Sequence, residues 1–456
     1  MATRARNHPV IACLVLAAPL NGCLVERTVS LDQFNCARLD DVACRKADAG
    51  TEPDSSLVAS DSGPTFGDAE PRDFGTRDSG GTRDGGGTST LLPYAPTNFD
   101  PVEIPEPAIG GNEVFNCGAS SFNSTTLGFS GWCQTPSIRP IVVLQQGGPD
   151  VVLLAMRELS VEFGATLSFT GSRPVVLIVL GDASIKGVVD VSAVGATSGA
   201  GVELSDCEMG AGRRGTYTPF SALGGGGGGG GYGSAGAHGG DPNYGGFGGT
   251  AFGTAELRPL RGGCPGAVGV AVETPGLGGG AGGALQLSVG GTLRVEDDPA
   301  IVGGVYANGG GGQSAFGTNV GNGGGGGGSG GAILLEADRI VLAGPLVIAA
   351  NGGGGGGGSA QGGPAGTRGS DGRVESTAPA PGGQGLEGFG NGGSGAAGGT
   401  PAAAGSVGGS GQASIGAGGA GGGIGRIRIN AISGCTVGPD VAFSPTPTSN
   451  GAPGCP

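Results

Sequence analysis

The sequence predicts an all-β fold: a parallel β-helix-like solenoid with long glycine-rich loops, open to a polyproline-II-like arrangement, preceded by a disordered tether. Three observations carry this expectation. Glycine supplies 110 of the 456 residues, far above the usual ~7%, and each glycine destabilises a helix interior by about 1 kcal/mol. Short apolar runs alternate at period two, with Gly or Asp at the breaks. A longer unit then recurs, joining two or three such runs to a glycine tract.

Taken in chain order, the first element is a processing signal. Arg4 and Arg6 form a basic start, and residues 10–20 are apolar. Eleven residues are too few to cross a bilayer, which needs about 20, but they suit a signal-peptide core. Leu20-Asn21-Gly22-Cys23 follows. This resembles the bacterial lipobox, although Asn21 is a less usual occupant of its position. The resemblance implies cleavage before Cys23 and acylation of its thiol, which makes Cys23 the expected lipidation site. More than one acyl chain holds a protein stably to a membrane. Residue 24 is Leu, without the Asp tied in some bacteria to inner-membrane retention, so the expected place is the outer membrane or cell surface.

Residues 1–22 are thus expected to be signal peptide, residues 23–110 lipid anchor and disordered linker, and residues 111–456 the glycine-rich β domain. The linker is rich in Asp, Gly, Ser, Thr and Pro, and repeats Gly-Thr-Arg-Asp at 75–78 and 81–84. It has too few large apolar residues to offset the entropy of ordering.

Beyond residue 111, runs such as Leu167-Ser168-Phe169 and Val189-Asp190-Val191 read as short strands. Residues 175–180 are apolar throughout, as a strand buried on both faces would be. Gly282-Gly283-Ala284 then opens a unit that returns at Gly330-Gly331-Ala332, and a degenerate copy reaches Arg426-Ile427-Arg428-Ile429. Asn308 and Asn351 occupy matching places just before glycine tracts, where Asn tolerates left-handed backbone. One unit cannot bury its own apolar face, but stacked units can. The alternation of Gly-Gly-Ala-Ile-Leu-Leu strands with Ala-Asn-Gly-Gly tracts resembles the PGRS-type glycine-rich surface proteins of bacteria over roughly 280–430. The helical N-terminal domain of some of those proteins is missing, and a lipobox stands in its place.

Ten cysteines are present. Cys13 leaves with the signal peptide and Cys23 takes the lipid. The remaining eight fall into sequential neighbours, Cys36/Cys44, Cys117/Cys133, Cys207/Cys264 and Cys435/Cys455, and an even number in an exported chain suggests disulfides. Local pairing is the expected connectivity among many that the count allows.

Chemistry is sparse. Apart from His8 in the signal peptide, His238 is the only histidine, and it lies among glycines and alanines that offer little to position an imidazole. No catalytic residue, metal site or cofactor is expected. Asp182, Asp297, Asp298 and Asp338 follow strand ends, where Asp favours turns through its own backbone. Tyr232, Tyr244, Phe247 and Phe252 interleave the first glycine region, free either to stack on sugars or to anchor the loop. With Arg4 and Arg6 removed, 21 basic residues stand against 37 acidic ones, a balance that repels nucleic acid. The expected partners are the membrane, through the lipid, and surface polysaccharide or further copies of the chain.

The expected function is therefore a lipid-anchored cell-envelope protein with a structural or adhesive, non-enzymatic role. The alternative is a carbohydrate-active β-helix enzyme, either polysaccharide lyase or glycoside hydrolase. Three or more acidic and Arg side chains sharing one groove would favour the enzyme. Replacing Cys23 with Ser should release the chain from membranes, because the acyl chains supply its membrane affinity. A Cys23→Ser chain that still sediments with membranes after a carbonate wash would overturn the anchor.

Overall fold

The computed structural model describes residues 91–456, apart from 219–222, 242, 272–273, 299–302, 317–320, 361–364, 375–376, 387–388 and 408–414. The signal peptide, Cys23, Cys36 and Cys44 lie outside the described residues. Within them the chain is all-β with no α-helix, and no helix is long and apolar enough to cross a membrane.

The first strands are β1 (Gly110–Phe115), β2 (Ala119–Asn123), β3 (Gly128–Ser130), β4 (Ile141–Val143), β5 (Val151–Val161) and β6 (Thr166–Thr170). β7 (Val175–Val179), β8 (Ala183–Ile185), β9 (Val188–Asp190), β10 (Tyr217–Thr218) and β11 (Leu223–Gly224) follow. The last are β12 (Ala284–Glu296), β13 (Gly304–Tyr306), β14 (Ala332–Ala343), β15 (Val347–Ala349), β16 (Arg426–Val437), β17 (Ala442–Ser444) and β18 (Thr448–Ser449). They build two large sheets, ordered β1-β5-β7-β12-β14-β16-β18 and β17-β15-β13-β9-β6-β2-β3. Except for the antiparallel contacts of β3 and β4, the pairs in both are parallel. From β5 onward the chain alternates between the sheets, each return lying beside the previous pass.

Register follows the sequence repeat. Ala284 pairs with Ala332 and Leu285 with Ile333 in the first sheet, while Val305 pairs with Ile348 in the second. The third copy enters with Arg426 where the second has Ala332. Period-two side chains then sort onto two faces. Leu285, Leu287 and Val289 join Val305, Ile348, Leu167 and Phe169 in the core between the sheets. The other face of the first sheet buries Val151, Leu153, Val176, Ile178 and Leu334 against Leu92, Phe99, Ile104, Leu257 and Leu260. All five residues of β7 are consequently buried, as a strand covered on both sides requires. Because Leu92, Phe99 and Ile104 are buried, the linker expected to run to residue 110 gives way to packed chain well before it.

The glycine tracts fill the connections from second-sheet strands back to the first sheet, after β9, β13 and β15. They are ordered by a hydrogen-bond pattern of period three. Gly224, Gly227 and Gly230 donate their N–H groups to the carbonyls of Gly321, Gly324 and Gly327 at 2.8–2.9 Å. Gly225, Gly228 and Gly231 donate to Thr216, Arg213 and Gly210, and Gly226 and Gly229 to Gly240 and Ala237. The carbonyls accept from three other segments in the same rotation, for example Gly227 from Ala420, Gly228 from Ala267 and Gly229 from Gly249. Residues 224–231 are thus surrounded by six neighbours. Residues 321–331, 351–359 and 416–425 are enclosed in the same manner by their own bonds.

Asn308 and Asn351 do stand at matching corners, since the Asn351 N–H donates to the Asn308 side-chain oxygen at 2.7 Å. Neither is left-handed, however; among the described residues the positive-φ residues other than glycine are Leu127, Asp241 and Leu257. The amides at these corners serve as rungs between stacked strands and do not relieve turn strain.

Close packing excludes side chains from the enclosed tracts. A Cβ on Gly229 would fall 1.9 Å from the Gly421 carbonyl oxygen, and one on Gly227 2.2 Å from that of Ala267. Ala417 and Ala420 are buried in the tract 416–425, so one of its three directions has room for a methyl. Gly399 by contrast has nothing within 4 Å of its Cβ position. Gly229→Ala should therefore destabilise the fold by about 1–3 kcal/mol, as overpacking does, while Gly399→Ala should stay within about 0.5 kcal/mol. Equal melting temperatures for the two variants would sink the enclosed-tract account.

Candidate functional site

Three regions bring polar or reactive groups together. The first lies on the outer face of the first sheet, beneath residues 94–98. Glu336 is 3% exposed and has no cation among its hydrogen-bond partners. Its carboxylate accepts from Gln286 Nε2 at 2.7 Å, Asn430 Nδ2 at 3.0 Å, and Ser288 Oγ and Thr97 N at 3.2 Å. The Thr97 hydroxyl completes the set. Strand pairing sets Gln286, Ser288 and Glu336 on adjacent strands of one face, so the segment 94–98 caps a ready-made polar patch. Tyr94 donates to the backbone carbonyls of Glu336 and Val289, and burial, with the Glu336 charge nearby, pushes its hydroxyl well above the ordinary tyrosine range. This cluster holds a strap to the sheet. Nothing in the sequence repeat singled out Glu336, because its position in a strand reads as one more outward polar residue.

The second region is a groove of about 640 Å³ on the outer face of the same sheet, where the strands continue past their bulges. It gathers Glu158, Asp182, Lys186 and Arg294, enough acidic and basic side chains to meet the criterion set for an enzyme, while Glu113 borders it with its side chain on the core face, opposite Leu159. Register pairs Leu159 with Ala183, which sets Glu158 beside Asp182 on neighbouring strands. One oxygen of each already has a partner. Glu158 accepts from Asn112 Nδ2 at 2.7 Å, and Asp182 from the Thr292 N–H at 2.7 Å. Glu113 is buried and accepts from Trp132 Nε1 and Ser137 Oγ. Lys186 pairs with Glu162, and Arg294 with Glu296. Asp338, further along the face, accepts from Ser433 Oγ, and the Asp297 carboxylate accepts from the Asp298 N–H.

The third region is one edge of the glycine bundle. Outer passes have a side open to solvent, and a three-residue turn presents every third residue there. Tyr244, Phe247 and Thr250 follow that spacing, as do Ala235, His238 and Asp241 on the adjoining pass. The passes are locked by Gly239 N–H to Gly246 O and Gly236 N–H to Gly249 O, both at 2.9 Å. His238 Nδ1 accepts the Gly248 N–H at 3.1 Å, and its ring meets Phe247 edge-on at 5.3 Å. On the other side, Arg213 N–H donates to the Phe247 carbonyl at 2.8 Å. The expected aromatics divide accordingly. Tyr232 is buried, with Phe252 packed against it at 5.0 Å and Arg426 over its ring; both anchor the loop. Phe247 is 68% exposed. The signal that would have found this edge is the triplet spacing of non-glycine residues, which helix and strand periods do not register.

Disulfides join Cys117 to Cys133, Cys207 to Cys264 and Cys435 to Cys455. The second closes 57 residues around the first glycine tract, a loop whose closure contributes about 4 kcal/mol in the chain-entropy account. Comparison with protein-family models, curated proteins and solved structures gave no match.

Removing the Glu336 carboxylate would leave several buried donors without an acceptor. Glu336→Ala should lower stability by about 3 kcal/mol and open residues 91–109 to protease. An unchanged melting temperature and digestion pattern would deny the carboxylate its strap-holding role.

Proposed function

We propose that this chain is a lipid-anchored cell-envelope protein with a structural or adhesive role and no catalytic one. In this reading Cys23 carries the lipid and residues 23 to about 90 form the tether. The alternating sheets are coils of a parallel β-solenoid, and the glycine tracts are polyproline-II-like helices bundled at one corner of it. The observation that carries the reading is the six-neighbour enclosure of the glycine tracts. Such a body is stiff and almost free of functional side chains inside, which suits display and cohesion better than chemistry. Three disulfides among the described residues support an oxidising location.

The groove favours a second reading, a carbohydrate-active protein, because Glu158 and Asp182 adjoin there. A glycosidase needs one carboxyl free to donate a proton and another free to attack or activate water. A test separates the two. Deleting residues 191–456 on the cell surface should weaken cell-to-cell or cell-to-substratum cohesion, while the purified full chain releases no reducing or unsaturated ends from a polysaccharide panel. Turnover that disappears in Glu158→Gln and Asp182→Asn would replace the structural reading by the enzymatic one.

A further inference from the structure

The edge built from residues 209–216, 233–241 and 244–250 differs from the rest of the bundle surface in charge and in aromatic content. Arg213 and Arg214 are both exposed, and among the described residues neither makes an ion pair. They adjoin in a chain of net charge −14, where acidic partners are plentiful and yet have not been placed opposite them. Phe247, 68% exposed, lies on the next pass; further along it the Thr250 N–H donates at 2.9 Å to the carbonyl of Met209, which is 69% exposed. His238 stands on the far side of Phe247. Since its Nδ1 accepts the Gly248 N–H, the neutral ring carries its proton on Nε2. No protein acceptor takes that Nε2–H among the described residues, which leaves a donor for a ligand.

We propose that this edge binds an acidic polysaccharide. Arg213 and Arg214 would meet carboxylate or sulfate groups through charge-assisted, bidentate hydrogen bonds. Phe247 would lie against the apolar face of a sugar ring, and His238 Nε2–H would donate to a hydroxyl. Charge complementarity selects the partner. A neutral glycan offers the two unpaired guanidinium groups only hydroxyl acceptors, without the charge-assisted bidentate pairing of a carboxylate or sulfate, and a purely apolar partner would bury them at a penalty. Duplex DNA is also anionic, but its charge density is far higher, about one charge per 1.7 Å, and the strongly acidic body repels it. The backbone beneath these side chains is held by neighbouring passes, so little main-chain freedom is lost on binding. Asp241 at the end of the edge carries a charge of the polyanion's own sign, with its Oδ1 held on its own turn by the N–H groups of Asn243 and Tyr244, and so marks where the anionic footprint stops.

The inference rests on the adhesive reading and gives it a surface, but its test does not depend on where the protein resides. Purified full chain in detergent is run in native gels containing polygalacturonate, with dextran as the neutral control. Polygalacturonate should retard the chain and dextran should not, and added salt should weaken the retardation. Arg213→Gln/Arg214→Gln should bind about tenfold more weakly, as expected when charge-assisted bonds are lost. It should also lose most of the salt dependence. Phe247→Ala should weaken binding severalfold while keeping the salt dependence, and Leu277→Ala, an exposed residue on another face, should bind as the parent does. Equal retardation of parent and double-Gln chains, or retardation by dextran alone, overturns the proposal. So does tighter binding to duplex DNA than to polygalacturonate, or self-association in sedimentation that the Arg substitutions abolish.

Discussion

In the enclosed glycine tracts, successive backbone N–H groups point to three different neighbours, and this rotation of the hydrogen bond is what the rest of the molecule accommodates. A net hydrogen bond contributes about 0.5–1.5 kcal/mol, while fixing a residue's backbone costs about 1–2 kcal/mol. One pass therefore gains too little to order alone, and glycine has more freedom to lose than any other residue. Order becomes favourable when each pass shares its bonds with six others and its ends are already fixed. Donor and acceptor patterns then interlock as a set. The absence of Cβ atoms is a condition of the geometry, since a methyl at Gly229 would sit on the Gly421 carbonyl oxygen.

The sheets provide the fixed ends. Parallel pairing of Ala284 with Ala332 and of Ala332 with Arg426 delivers three returning tracts side by side. Val305 opposite Ile348 does the same for two departing ones. At the departure corner a polar ladder maintains the alignment: Ser192 Oγ accepts the Asn308 N–H at 2.9 Å, Asn308 Oδ1 accepts the Asn351 N–H, and the Ser444 hydroxyl reaches the Asn351 side chain. A slip of one residue would displace this ladder, the apolar core between the sheets and every triplet in the bundle together. Cys207–Cys264 adds a covalent link between two passes that flank residues 224–231.

Much of the sheet architecture was legible in the sequence, because period-two apolar runs and the Gly-Gly-Ala openings map directly onto register. Residues 175–180 announced a strand buried on both faces. The strap was not legible. Leu92, Phe99 and Ile104 are isolated apolar residues in a Pro- and Asp-rich stretch, and only a tertiary partner, the outer face of the first sheet, gives them a place. The Asn308 and Asn351 positions were recognisable as equivalent, whereas their backbone conformation was not, since Asn serves equally as a turn former and as a ladder rung. Candidate binding residues were half visible. Phe247 stood out as an aromatic among glycines, but Arg213 and Arg214 are separated from it by some thirty residues of chain and meet it only through the lateral order of the passes.

That lateral order also decides where recognition can reside. Most enclosed positions are closed to side chains by neighbouring backbone, with small residues such as Ser329 and Ala420 the exceptions, so recognition chemistry is confined to the outer passes. Outward positions there bear little on stability, because the hydrogen bonds that order the pass come from main-chain atoms that any non-proline residue supplies. Phe247 is therefore replaceable without disturbing the passes behind it, whereas His238 also gives the Gly248 N–H its acceptor, and Gly226 or Gly229 tolerates no side chain. In an ordinary core, the side chains that specify the fold and those that contact a ligand share packing, and changing one strains the other. Here the two roles fall on different residues of the same triplet, which leaves the surface of a rigid body free to acquire charge, aromatic rings or small flat side chains face by face.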